Sequence, residues 1–409
     1  MSPHPQIGDA TMTQDKTKLA VYGADKPVWR PVIAIGLSTF AVVTTEMLPI
    51  GLLTPMAASF GSPVGAAGLA ISLPALLAGL FAPVVLVVSG GMDRRRILIR
   101  LLILLVLANL ACAVAPSIGW LLAARILVGF CMGGVWAIAG GSAPRLVPQP
   151  SQGMATAVIF GGVAAASVFG VPTGALISDL ADWRTAFGVM AAFSGLVLLL
   201  NLWALPPLPV RHSVRPRQFV ELLGRPSVRL GLGITLLLVA GHFMAYTFVR
   251  PSLQMLSGIP THWVGLLLFA YGAAGVAGNF IAGALPARRI GATLILISGS
   301  LASTLFAFHI LGTTASGGTL VLIVWGLAYG GVSVALQTWM MRAAPDAIEV
   351  ATSLFVAVFN LAIALGSLLG GQAVDRLDLQ TNMLMAAVLT TTALGLALVA
   401  RRSLARSSR

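Results

Sequence analysis

Of the 409 residues, 57% are hydrophobic and only 9% charged, with a mean hydropathy of +0.94, whereas soluble domains carry about 25% charged residues. That balance excludes a soluble domain. The formal net charge of +13 is then read from where the charges stand rather than as a sign of nucleic acid.

Residues 1–29 are polar and mixed in charge, with no apolar segment ahead of a cleavage site, so they are expected to remain as a flexible N-terminal tail. Twelve apolar runs follow: Pro31–Met56, Gly65–Ser89, Ile97–Ala115, Ile118–Ser142, Ala155–Ile177 and Arg184–Leu205, then Leu230–Leu253, Trp263–Leu285, Ala292–Gly312, Gly318–Met341, Val350–Ala373 and Asn382–Ala400. Runs of about 20 apolar residues are spanning helices, whereas barrel strands show about 10-residue alternation. The expectation is an all-α membrane protein with twelve transmembrane helices. Cys112 and Cys131 fall inside two of the runs, as small buried hydrophobes rather than disulfide or metal partners.

Connections between runs are short except for residues 206–229, which are rich in Pro and Arg and divide the chain into halves of six helices, 30–205 and 230–400, with a tail at 401–409. Within this linker Phe219–Leu223 reads either as a short helix on the membrane surface or as a solvated loop. Of the 25 lysines and arginines, all but Arg125, Arg184, Arg250 and Arg376 fall in the tails, the linker and the loops on the same side as the termini. Cytoplasmic loops are enriched in these residues, so both termini are expected in the cytoplasm of a bacterial inner-membrane protein. The basic patches there are expected to meet anionic lipid headgroups.

The halves resemble each other. At an offset of 196, Gly170, Gly174, Asp179 and Asp182 fall on Gly366, Gly370, Asp375 and Asp378; Glu46 falls on His242, and Pro55 on Pro251. At an offset of 197, GFCMGGV (129–135) falls on GLAYGGV (326–332). Such a repeat suggests two pseudo-symmetric halves with a site between them near the membrane midplane.

Twelve acids occur in the chain, and Glu46 alone lies deep in a span. An ionisable group there costs about 2.5 kcal/mol or more to insert, so it is either a working group or a carboxylate tied to a neighbouring helix. Arg125, inside the fourth run, needs a partner, and Glu46 or bound solute is the natural one. His242 either relays protons or hydrogen-bonds between helices. Arg250, at the end of the seventh run, is expected to reach the membrane interface. Gly170, Pro172 and Gly174 are expected to serve helix packing and bending. Trp136, Tyr246, Trp325, Gln337, Trp339 and Asn360 are candidate cavity groups, because a solute pocket needs apolar walls with a few polar anchors. No phosphate-binding loop, HExxH or metal-ligand spacing is visible, so neither an enzyme nor an ATP-driven pump is expected, and no cofactor beyond a coupling proton.

Several stretches together resemble the major facilitator superfamily, in its twelve-helix drug:proton antiporter branch. EMLPIGLLTPMAASFG (46–61) is similar to the first-helix signature of bacterial sugar and purine ribonucleoside efflux transporters, RILVGFCMGGVWAI (125–138) to the fourth-helix motif, and GVPTGALI (170–177) before DWR (182–184) to the antiporter motif. HFMAYTFVRP (242–251) and APDAIEVATSLFVAVFNLAIALGSLLGG (344–371) extend the likeness. The resemblance implies proton-driven export by rocking of two halves, with Glu46 as the proton-binding acid, Arg125 as the fourth-helix base, and Asp93 with Arg94 as the gating motif. That last motif, SGGMDRRR, departs from the pattern at Ser89. The expected partner is a small solute (sugar, purine nucleoside or a chloramphenicol-like drug), handled by a monomer. Uptake symport or facilitation by the same fold, or a non-transporting sensor, are the alternatives.

Overall fold

The computed structural model describes residues 29–88, 92–139, 142–148, 151–209, 216–285 and 289–407. Ser89 and all but the last residue of the expected N-terminal tail lie outside these. Twelve helical spans account for nearly all of the rest, and no strand occurs among the described residues. In the first half they are α1 (Trp29–Phe60), α2 (Val64–Val88), α3 (Arg94–Ala113), α4 (Ile118–Ala139), α5 and α6 (Trp183–Ala204). In the second they are α7, α8 (Thr261–Ala284), α9 (Ile290–Leu311), α10, α11 (Ile348–Arg376) and α12 (Leu379–Ser407).

Three spans are interrupted. The α5 span runs as Gln152–Ala165, a π-turn Ala166–Gly170 and Val171–Leu180. Pro172 follows the wide turn, as expected where a ring without an N–H enters a helix. The α7 span comprises Pro226–Tyr246, Val249–Pro251 and a π-turn Ser252–Leu256, and α10 comprises Ala315–Gly330 and Val332–Ala343. Eleven spans are individually long and apolar enough to cross a membrane, and the divided α5 supplies the twelfth. This is a multi-pass membrane protein.

One difference from the sequence reading is local, and one of its open alternatives is decided. The α12 helix continues past Ala400 to Ser407, because Arg, Leu and Ala all favour helix once the apolar stretch has ended. In the linker, Pro216–Leu223 is helical: Leu222 is buried, Val220 faces out, and Arg217 pairs with Glu221 at 2.8 Å.

The repeat reappears as matched packing. A side chain on Gly170 would meet Thr44 and one on Gly174 would meet Leu48, where α5 crosses α1; 196 residues on, Gly366 and Gly370 lie against Ala240 and Met244, where α11 crosses α7. Likewise Gly129 and Gly133 of α4 press on Pro74 and Ala78 of α2, and, 197 residues on, Gly326 and Gly330 of α10 press on Tyr271 and Gly275 of α8. Small residues let helices touch where lipid supplies no hydrophobic drive between them. Asp182 and Asp378 also match, since each accepts a backbone N–H at the start of the next helix, from Arg184 at 3.3 Å and Thr381 at 2.7 Å. The backbone and hydroxyl donors of Thr381 hold the Asp378 carboxyl below the usual range.

The halves meet along α2 with α11 and, symmetrically, α5 with α8. Twelve crossings place both ends of the bundle on one face, here the terminal face. At the other face the halves are bonded together, as described below.

Candidate functional site

Prolines build this site. A helical carbonyl bonds the N–H four residues on, so Pro49 in α1 orphans the carbonyl of Thr45, and Pro74 in α2 orphans that of Ala70. At membrane depth no water replaces the lost donors. Arg125 of α4 does so: its Nη1 donates to the Thr45 carbonyl at 2.7 Å and its Nε to the Ala70 carbonyl at 2.7 Å, while Nη2 reaches the Glu46 backbone carbonyl at 2.8 Å. The guanidinium thus staples three helices. It forms no hydrogen bond with the Glu46 carboxylate.

Glu46 is fully buried and both its carboxylate oxygens lack a hydrogen-bond partner. A buried carboxylate without a bonded partner is a rare and costly arrangement. It can hold a proton, or a donor from a solute, without first breaking a protein contact. At the residue before it, Thr45 Oγ1 accepts from fully buried Asn109 of α3 at 3.1 Å, and Asn109 also donates to Ser194 Oγ of α6 at 3.5 Å. Nothing in the sequence separated Asn109 from other polar residues in spans.

His242, the counterpart of Glu46, is also fully buried. Trp325 Nε1 donates to its Nδ1 at 3.1 Å, and its Nε2 has no partner. Its ring stacks between Tyr246 and Tyr329. The sequence reading missed Tyr329; its place four residues beyond Trp325 on α10 was the available signal.

A second bonded group lies at the face away from the termini. Pro55 orphans the carbonyl of Gly51, and Arg250 of α7 donates to it. The other Nη of Arg250 pairs with Asp179 Oδ1 of α5 at 2.6 Å. Arg250 is 2% exposed; it ties the halves together instead of reaching the membrane interface, because the freed carbonyl and the carboxylate both lie inward. The backbone N–H of Gly65, at the start of α2, donates to Asp375 Oδ1 at 2.7 Å, and Thr54 Oγ1 donates to Gln254 Oε1 at 3.1 Å. Asp179 and Asp375 are repeat counterparts, and each reaches into the opposite half.

The remaining candidates separate. Tyr246 belongs to the aromatic group around His242. Trp339 is buried with its indole N–H donated to the Ser227 carbonyl at 2.9 Å, which fastens α10 to α7. Asn360 is buried and donates to the Val356 carbonyl of its own helix at 2.9 Å, next to Gly79 where α2 meets α11. Trp136 and Gln337 are half-buried. Asp93 caps α3 by accepting from Arg95 N at 2.8 Å, and also accepts from Leu208 N at 3.0 Å, while the Arg94 N–H donates to the Leu208 carbonyl at 3.0 Å. The motif therefore grips the start of the linker. Away from these groups, a crevice of about 150 Å³ opens between α1, α5 and α6 beside Phe40, Phe169 and Phe193.

Two pseudo-symmetric six-helix halves enclosing a buried acid define a membrane transporter rather than an enzyme. The model of the Major Facilitator Superfamily matches residues 35–367, and the chain belongs to that superfamily. Among its relatives, the purine ribonucleoside efflux pump NepI of Shigella sonnei is 33% identical over 384 residues, covering 90% of this chain and 96% of the relative. The pump of the same name from Escherichia coli is 32% identical over 375 residues, covering 90% and 93%. Among solved structures, a mutant of the nucleoside transporter NupG is similar with a TM-score of 0.73 at 15% identity, covering 91% of this chain and 99% of that one. A bacterial homologue of the human lysosomal transporter Spinster, inward-facing and occupied, matches with a TM-score of 0.69 at 16% identity, covering 91% and 96%.

Proposed function

We propose that this protein exports a purine ribonucleoside across the bacterial inner membrane in exchange for protons. The reading rests above all on Glu46, a fully buried carboxylate with neither oxygen bonded, beside a guanidinium whose bonds go to backbone carbonyls. Such an acid can take a proton when the site opens to one side and give it up when it opens to the other. Arg125, held by its three carbonyls, stays in place through that cycle and stabilises the charged form. The names of the relatives support the solute class and the direction, and the basic residues of the terminal face support a cytoplasmic location for both termini. The face opposite the termini, bonded shut through Arg250, Asp179, Asp375 and Gly65, is the side that opens to release solute.

Everted membrane vesicles given labelled adenosine test this. Acidifying the vesicle interior should drive accumulation, and a protonophore should abolish it. Glu46→Gln should lose accumulation at least tenfold while still exchanging labelled for unlabelled adenosine. Normal concentrative transport by that variant would sink the proposal, and accumulation driven by an alkaline interior would instead support uptake symport.

A further inference from the structure

Four rings of the second half stack in series. Tyr271 lies on Tyr246 with centroids 4.7 Å apart and planes 23° from parallel, Tyr246 on His242 at 5.1 Å and 22°, and His242 on Tyr329 at 3.3 Å and 8°. Trp325 stands edge-on to Tyr271, Tyr246 and His242. Its indole N–H can only donate, so His242 Nδ1 is the acceptor and the neutral ring carries its proton on Nε2, which is buried with no partner. The first three rings are buried, but Tyr329 is only half-buried. The ladder ends on Tyr329, the one ring of the four that is not fully buried.

The position of that rung is set by the backbone. Tyr329 precedes the glycine pair at which α10 breaks into Ala315–Gly330 and Val332–Ala343, and Gly330 and Gly326 bring this stretch tight against Gly275 and Tyr271 of α8. Broken helices in transporters mark places where solute is held. In the other half, the Glu46 carboxylate, the repeat counterpart of His242, has neither oxygen bonded.

We propose that Tyr329 is the platform on which the planar ring of the transported solute stacks. The solute adds the next rung to the ladder. The inference rests on the purine ribonucleoside reading above and deepens it by locating the base. An aromatic platform contributes about 1–3 kcal/mol per base, which is roughly 5- to 150-fold in Kd.

The test is equilibrium binding of labelled adenosine to the purified full-length protein in lipid nanodiscs. Tyr329→Phe keeps a ring and should bind within about twofold of the unaltered protein, while Tyr329→Leu should raise Kd about tenfold or more. Equal Kd for the leucine variant overturns the platform while leaving the purine reading in place. No adenosine binding by the unaltered protein overturns both. Should Tyr329→Leu fail to fold, competition on the unaltered protein decides: displacement of adenosine by adenine but not by ribose supports the platform, and displacement by ribose but not by adenine overturns it.

Discussion

Arg125 is at once a helix staple and the positive neighbour of Glu46, and the prolines separate the two roles. Lysine cannot reach three carbonyls on two helices, so Arg125→Lys should leave buried acceptors unsatisfied. A hydrogen bond to a charged group contributes about 1.5–3 kcal/mol, so destabilisation of about 2 kcal/mol or more should appear as a lower melting temperature in detergent. Replacing Pro49 and Pro74 by alanine returns helical donors to Thr45 and Ala70. In that background Arg125→Lys should cost clearly less stability while transport stays impaired; an equal loss in both backgrounds would contradict the staple. At the terminal face Asp346 supplies a control for pH work. Its bidentate hydrogen bonds from Arg225, 2.6 Å each, pull its carboxyl down to about 2. Because that value lies below the unfolded one of about 3.9, the contribution is present above pH 3.9 and is lost only as pH falls through about 2. Asp346→Asn should therefore leave the shape of the transport profile between pH 5 and 8 unchanged, whereas Glu46→Gln should flatten it.

Among the elements, α5 is the most demanding of small residues. A Cβ on Gly162 would overlap the Gly36 carbonyl and Thr39 of α1, and that backbone cannot turn aside as a long side chain can. Overpacking costs about 1–3 kcal/mol, so Gly162→Val should lower the melting temperature and the yield of folded protein. Gly174→Ala meets only the flexible end of Leu48 and should be milder; similar losses from both would refute the distinction. The glycine spacing and Pro172 were legible in the sequence as packing signals, and the matched offsets of 196 and 197 already paired α5 with α11 and α4 with α10. The π-turn was not legible, because it depends on how α5 crosses α1 and α8. Tyr329 escaped notice for a similar reason: a lone tyrosine in an apolar run has no pattern of its own until α7 and α8 bring His242, Tyr246 and Tyr271 alongside.

At the scale of the whole molecule, closure of one face depends on Arg250. Arg250→Ala leaves Asp179 without its cation and the Gly51 carbonyl without its donor. Breaking a buried pair costs about 3–5 kcal/mol, enough to move a two-state equilibrium by about 100-fold or more. Spin labels at Ala58→Cys and His262→Cys, both in exposed positions on this face, should then show a longer, broader distance distribution than in the unaltered background. An unchanged distribution would show that the pair does not hold the face shut. The sequence by itself determined the twelve spans, their division into related halves and the one deep acid, because each follows from local composition, spacing or self-similarity. Only the tertiary structure decided the partners: that Arg125 and Arg250 serve carbonyls freed by prolines on other helices, and that His242 stacks on Tyr329. Those bonds join residues tens to hundreds of positions apart, and their geometry exists only once the helices have packed.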